Sequence, residues 1–140
     1  MKTRPIGRGL KLMCSGFEAA ANRELSALGL TAAQAQLLMI LNSSNDTLRL
    51  QKSLAAELGA SQACVTGIIS RLGEKGFVRL SRDGEDRRNR LISITPKGED
   101  ICQKAYEALV RAGSDYFSAL TDEERGQLST IVKKLGFEDI

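Results

Sequence analysis

The chain has 140 residues, which is enough for one domain with a real core and short for two. Its 42% hydrophobic and 26% charged residues are ordinary for a globular chain. Four Phe, two Tyr and no Trp argue against a stacking platform for single-stranded nucleic acid. The net charge is +3, and there is no His, which removes Ser-His-Asp and Cys-His catalysis and every imidazole metal ligand.

No apolar run approaches the about 20 residues of a membrane span, and Met1-Lys2-Thr3-Arg4 is not followed by a signal-peptide core. Cys14, Cys64 and Cys102 are scattered, odd in number and without a CxxC, which fits a reducing compartment better than a disulfide framework. The expectation is a cytoplasmic chain with no membrane partner, no metal and no cofactor. A Gly-rich phosphate loop and a dinucleotide fingerprint are both absent, and the paired carboxylates (Glu85-Asp86, Asp122-Glu123-Glu124) sit at a turn and a helix start. The chain is therefore not expected to be an enzyme.

In chain order, residues 1 to about 8 read as a loose basic arm. A helix follows from Leu10 to Leu28, with Met13, Cys14, Phe17, Ala20, Ala21 and Leu25 recurring at three- and four-residue steps, closed by Gly29. Thr31 with Gln34 three residues on forms a capping box. The helix it opens, about Ala32 to Asn42, is apolar on nearly all sides and belongs at the centre of the core. Residues 42–46 form a loop, and Leu48-Arg49-Leu50 reads as a short strand.

Between Leu54 and Leu72 a helical period is broken once, at Gly59-Ala60-Ser61. Gly59 suits a left-handed C-cap and Ser61 an N-cap, and Ala55 lets the two helices cross closely. This is the helix-turn-helix pattern. Gly76 ends its second helix, which runs from Gln62 to Lys75. Phe77 to Ser81 and Leu91 to Ile94 are strands, joined by the charged stretch Arg82 to Arg90 with an Asp83-Gly84 turn. Thr95-Pro96 starts a long helix from Lys97 to about Leu120, with a possible bend at Gly113-Ser114. Thr121 to Glu124 is a second capping box, opening a last helix with Leu128, Ile131, Val132 and Leu135. The balance from Arg71 to Lys97 is eight basic to four acidic residues, whereas the rest of the chain is nearly neutral. Positive charge is thus concentrated beside the helix-turn-helix, as an electrostatic footprint on DNA would be.

A hairpin directly behind a helix-turn-helix is a winged helix. The chain resembles the MarR (multiple antibiotic resistance regulator) family of transcriptional regulators in Leu54-Ala55 with Leu58-Gly59, in the wing Asp83-Gly84-Glu85-Asp86-Arg87-Arg88, and in Leu91-Ile92-Ser93-Ile94-Thr95-Pro96-Lys97-Gly98. The fold class expected is mainly α with a small β-wing. The resemblance implies a single domain over 1–140, with dimerisation helices at 9–29 and 98–140 around a DNA-binding lobe at 31–97. It further implies a homodimer on double-stranded DNA, with two-fold symmetry matching a palindrome. The family pattern has Thr or Ser at position 50, where this chain has Leu50. The missing cap predicts fraying worth about 1 kcal/mol without a change of fold.

On the second helix of the motif, Val65, Ile68, Ile69 and Leu72 face inward. The expected reading surface is Ser61, Gln62, Ala63, Cys64, Thr66, Gly67 and Ser70. Gln62 can pair with adenine, Ala63 can touch a thymine methyl, Thr66 and Ser70 can bond bases or phosphates, and Gly67 permits close approach. Arg71 and Lys75 are expected at phosphates. No Arg stands at the front of this helix, which favours A·T-rich over G-rich sites. On the wing, alternation puts Arg88 and Arg90 on one side and Arg87 on the other. The resemblance implies that Arg88 enters the minor groove, oriented by a salt bridge from Asp86.

The signal is less legible. The resemblance implies a small aromatic or phenolic effector bound between the dimerisation helices and the DNA-binding lobe, with Phe17, Gln36 and Tyr106 as candidate lining. It alternatively implies cysteine oxidation, for which Cys14, one turn after Lys11, and Cys64 are the candidates. The leading expectation is a ligand-responsive repressor. The alternatives are a redox-sensing regulator of the same fold and a winged helix used as a protein–protein interaction module.

Overall fold

A computed structural model of the chain describes residues 5–44, 46 and 48–136. Six helices and three short strands follow in the order α1 (Ile6–Leu25), α2 (Ala32–Ser43), β1 (Arg49–Leu50), α3 (Gln51–Leu58), α4 (Gln62–Glu74), β2 (Val78–Arg82), β3 (Arg90–Ile94), α5 (Pro96–Tyr116) and α6 (Asp122–Lys134). The expected fold, mainly helical with a small β-wing, is what the structure shows.

Local chemistry explains most boundaries. Thr31 and Gln34 close a reciprocal capping box at the start of α2, and Thr121 with Glu124 does the same for α6. Gly59 (φ 68°) and Gly76 (φ 78°) take the left-handed conformation at the ends of α3 and α4, where a side chain would be strained. Leu50 gives α3 no side-chain cap, as expected from the sequence.

Three boundaries differ from the sequence reading. Helix α1 begins at Ile6 rather than Leu10, because Pro5 in an extended conformation serves as its N-cap residue. Arg8 and Lys11 therefore ride on a helix; Lys2 and Arg4 of the expected arm lie outside the described residues. At its other end α1 stops at Leu25, and Ser26 to Leu28 form a 3₁₀ turn before Gly29. Helix α5 passes through Gly113 and Ser114 and stops at Tyr116: Phe117 still bonds to the Gly113 carbonyl but its ψ of 10° leaves helical geometry.

The sheet is antiparallel in the order β1-β3-β2, so the last strand of the wing lies between the other two. β2 and β3 pair from Val78↔Ile94 to Arg82↔Arg90, and β1 adds Arg49↔Ile92 and Leu50↔Leu91. The core runs continuously from Leu25, Leu37 and Leu38 through Leu54, Val65, Ile69 and Leu72 to Ile92 and Ala105. Helix α2 sits in its middle, as its all-round apolarity requires. Helix α6 is different: none of its residues is buried.

One junction fixes the wing on the helix-turn-helix. The Thr95 N–H donates to the Phe77 carbonyl at 3.0 Å. The Thr95 hydroxyl donates to the Gly76 carbonyl at 2.6 Å and accepts from the Gly98 N–H at 3.0 Å. Lys97 Nζ donates to the Lys75 carbonyl at 3.0 Å, above the Phe77 ring. Gly98 sits so close to this turn that a Cβ there would lie 2.1 Å from the Phe77 carbonyl oxygen and 2.8 Å from Ile94 Cγ1. The obstacle is backbone and cannot swing aside. Gly98→Ala is therefore expected to destabilise the fold by about 3 kcal/mol, the upper end for overpacking, read as a lowered denaturant midpoint at unchanged slope.

Candidate nucleic-acid interface

Helix α4 presents two faces. Val65, Ile68, Ile69 and Leu72 are buried, whereas Ser61, Gln62, Ala63, Cys64, Gly67, Ser70 and Arg71 are exposed. Apart from Thr66, the residues expected on the reading surface are exposed, with Arg71 beside them. Ser61 caps the helix, its hydroxyl accepting the Cys64 N–H at 3.1 Å. Gly67 faces open space: nothing lies within 4 Å of where a Cβ would be.

Two of the expected contacts are arranged differently. Thr66 is half-buried, and its hydroxyl already donates to the Gln62 carbonyl at 2.8 Å while accepting from Gln51 Nε2 at 2.6 Å. Lys75, expected at a phosphate, turns inward instead: its ammonium donates to the Gly29 carbonyl at the far end of the α1 turn. Lys75 is the C-cap residue of α4, at the opposite end from Gln62, so its charge serves a tertiary contact.

The wing tip is ordered by its own hydrogen bonds. Asp83 N–H donates to the Asn89 carbonyl at 3.1 Å, and Arg82 Nη1 to the Arg87 carbonyl at 3.0 Å. Asp86 holds Arg88 through both carboxylate oxygens: Oδ1 accepts from Arg88 Nε at 3.1 Å and from its backbone N–H at 3.0 Å, and Oδ2 accepts from Nη2 at 3.2 Å. The Arg88 side chain is nevertheless 91% exposed. It is aimed by Asp86 without being covered. The Arg88 guanidinium, then the Arg88 backbone N–H, hold the Asp86 carboxyl below its ordinary value.

A cleft of about 330 Å³ separates the reading helix from the wing. Gln62 and Thr66 line it from α4; Arg88, Asn89 and Arg90 line it from the wing; and Leu50, Gln51 and Lys52 form its floor. Arg87 is not among the lining residues, but Asn89 is: residues 87–89 form a turn and a bend rather than an extended strand, so strict alternation does not apply at the tip. Sequence reasoning missed Lys52, Gln51 and Asn89. Lys52 lies on the first turn of α3, the helix before the reading helix and far in sequence from the wing, and no local pattern marks it.

Of the candidate effector residues, Phe17 and Gln36 come together. Both line adjoining cavities of about 260 and 700 Å³ between α1, α2, α3 and α5, with Leu109 common to the two. Tyr106 is not there. It is 52% exposed and lines another cavity with Met39 and Cys102, Met39 also bordering the larger of the two. Cys14 and Cys64 are exposed; Cys102 is buried, and burial pushes its thiol up, so it is the least reactive of the three.

A three-helix core carrying a helix-turn-helix with a hairpin directly behind it defines a winged helix-turn-helix protein. The MarR family profile matches residues 30–89. The transcriptional regulator BilQ of Clostridium symbiosum is 31% identical over 86 residues, 61% of this chain and 60% of that protein's own length. The multiple antibiotic resistance protein MarR of Salmonella typhimurium is 28% identical over 137 residues, covering 94% of this chain and 90% of that protein. A mutant MarR from E. coli, solved in complex with operator DNA, superposes with a TM-score of 0.81 at 25% identity, covering 94% of each chain. The chain is thus similar to MarR-family regulators over residues 30–89 by profile and over nearly its whole length by fold. Among the described residues no single helix is long and apolar enough to cross a membrane.

Two outcomes follow from this geometry. Because Gly67 is unobstructed inside the protein, Gly67→Ala should raise stability by about 1 kcal/mol through helix propensity. A loss of DNA affinity in that more stable variant, measured by fluorescence anisotropy, would then come from the outward face. For Asp86 the sign is that of a lowered carboxylate: its clamp on Arg88 is complete above the ordinary value and is lost only as pH falls through the lowered one. Carboxyl-carbon NMR should show Asp86 titrating below 3.8 in the parent and moving back up in Arg88→Ala.

Proposed function

We propose that the chain is a homodimeric, sequence-specific regulator of transcription that binds double-stranded DNA. It acts as a repressor on a palindromic operator and releases it when a small aromatic or phenolic effector binds. The observation that carries the DNA reading is the shared cleft. The exposed N-terminal half of α4 and an Arg88 side chain held by Asp86 stand on its two sides, one shaped for a major groove and the other for the adjoining minor groove. Arg71, Arg90 and Lys52 would add phosphate contacts that position the protein without reading sequence.

The dimer reading rests on apolar surface that one subunit leaves uncovered. Ile6 and Leu12 on α1 are 79% and 62% exposed, and Ile131 and Leu135 on and just after α6 are 54% and 65% exposed. Leu12, Ile131 and Leu135 fall within 9–29 and 98–140, the boundaries expected for dimerisation, and Ile6 extends that surface at the start of α1. Two copies related by a two-fold axis would present two reading helices about 34–36 Å apart, the spacing of successive major-groove half-sites. The effector reading rests on the cavities that Phe17 and Gln36 share, which lie between the expected dimerisation helices and the lobe 31–97.

Arg88→Ala should weaken binding to the operator at least tenfold while sedimentation still reports a dimer. Parent affinity should fall by about 10³–10⁵ between 50 and 200 mM salt, as expected for 6–10 phosphate contacts. Undiminished operator binding by Arg88→Ala would remove the wing from the interface. A salt-independent affinity for a protein partner, with none for duplex, would favour the interaction-module reading.

A further inference from the structure

We propose that Gln51, buried beneath the reading helix, is a positioning residue that decides which chemical groups of DNA Thr66 can recognise. The proposal rests on the DNA reading above. Gln51 opens α3 and is only 8% exposed, yet its amide is engaged with α4 rather than with the apolar core. Its Nε2 donates to Thr66 Oγ1 at 2.6 Å. The same hydroxyl donates to the Gln62 carbonyl, one turn back, at 2.8 Å.

A threonine hydroxyl has one proton and two lone pairs. Here the proton is committed to Gln62 and one lone pair to Gln51. A phosphate presents only acceptors, so a hydroxyl without a spare proton cannot bond to it. The same argument removes the acceptor edges of guanine N7 and O6 and thymine O4. What Thr66 still offers the cleft it lines is one lone pair and a methyl group. These suit the amino group of adenine or cytosine, or the thymine methyl.

Stability gives only a divided reason for an amide at this place, since the bond from Nε2 to Thr66 is offset by an unsatisfied acceptor. Gln51 Oε1 is buried and has no hydrogen-bond partner among the described residues, and an orphaned buried acceptor destabilises the fold. A methionine of similar length would fill the position without that defect. The amide matters through what its other end does, which is to hold the Thr66 hydroxyl and, through it, the first turn of α4 that carries Gln62.

The test is to select duplexes from a random library with the parent chain and with Gln51→Met, then measure affinities for single-base variants of the selected site. The expected result is a Gln51→Met protein with an unchanged or higher melting temperature and an unchanged salt slope. Its discrimination at the base pair opposite Thr66 changes by roughly tenfold, within the range of one mismatched pair. Thr66→Val keeps the shape and lacks the hydroxyl, so adding Gln51→Met to it should alter discrimination no further. A Gln51→Met protein that selects the same site with the same base preferences overturns the proposal and leaves the DNA reading standing. So does an even loss of affinity across all variants with a lowered melting temperature. A parent chain that enriches no duplex overturns both.

Discussion

Everything that meets DNA in this reading is held in place by one threonine. Thr95 bonds the Gly76 carbonyl just beyond the reading helix, the Phe77 carbonyl at the root of β2 and the first turn of α5 through its own N–H and hydroxyl. These are buried hydrogen bonds between groups otherwise orphaned at a helix end and a strand end, so each is worth more than it would be in water. Gly98 packs its bare Cα against the same carbonyl, and Lys97 closes the outer side. The angle between reading helix and wing is therefore set at the base of the hairpin, a strand's length from the tip that uses it. The tip needs only local order, which Asp86 and Asn89 supply.

The reading helix gains its usefulness from an uneven distribution of chemistry. Its inner face is Val, Ile and Leu; its outer face is small and uncharged at the start and basic only from Arg71. A helix so arranged can approach base edges closely before any cation meets a backbone. Charge enters instead from the sides, through Lys52 on α3 and through Arg88 and Arg90 on the wing.

Much of this was legible in the sequence because the signals are local. Capping boxes at Thr31 and Thr121, the glycines closing α3 and α4, and the strand–turn–strand before Thr95 each depend on neighbours within a few residues. So does the Asp86–Arg88 pair, two positions apart on one hairpin. The unreadable parts are those that depend on distance along the chain. Lys75 looks like any other basic residue near a helix end until Gly29, 46 positions away, is folded against it. Thr66 looks free until Gln51 arrives from the preceding helix. Family analogy places Tyr106 beside Phe17, whereas the fold sets it at another cavity. The early start of α1 is a different case: a proline that reads as a break in a loop reads equally well as the first boundary of a helix.

The last helix has a consequence of its own. Its 13 residues stand near the length at which an isolated helix in water is only marginally populated, and no side chain on it is buried. Reciprocal capping at Thr121 and Glu124 and a lysine pair at the far end support it from within, and Arg125 ties its first turn to the Phe117 and Leu120 carbonyls, but no apolar side chain on it is buried against its own subunit. In the proposed dimer the order of this segment is tied to protein concentration: on dilution it would be the stretch that melts first, before the reading head notices any change.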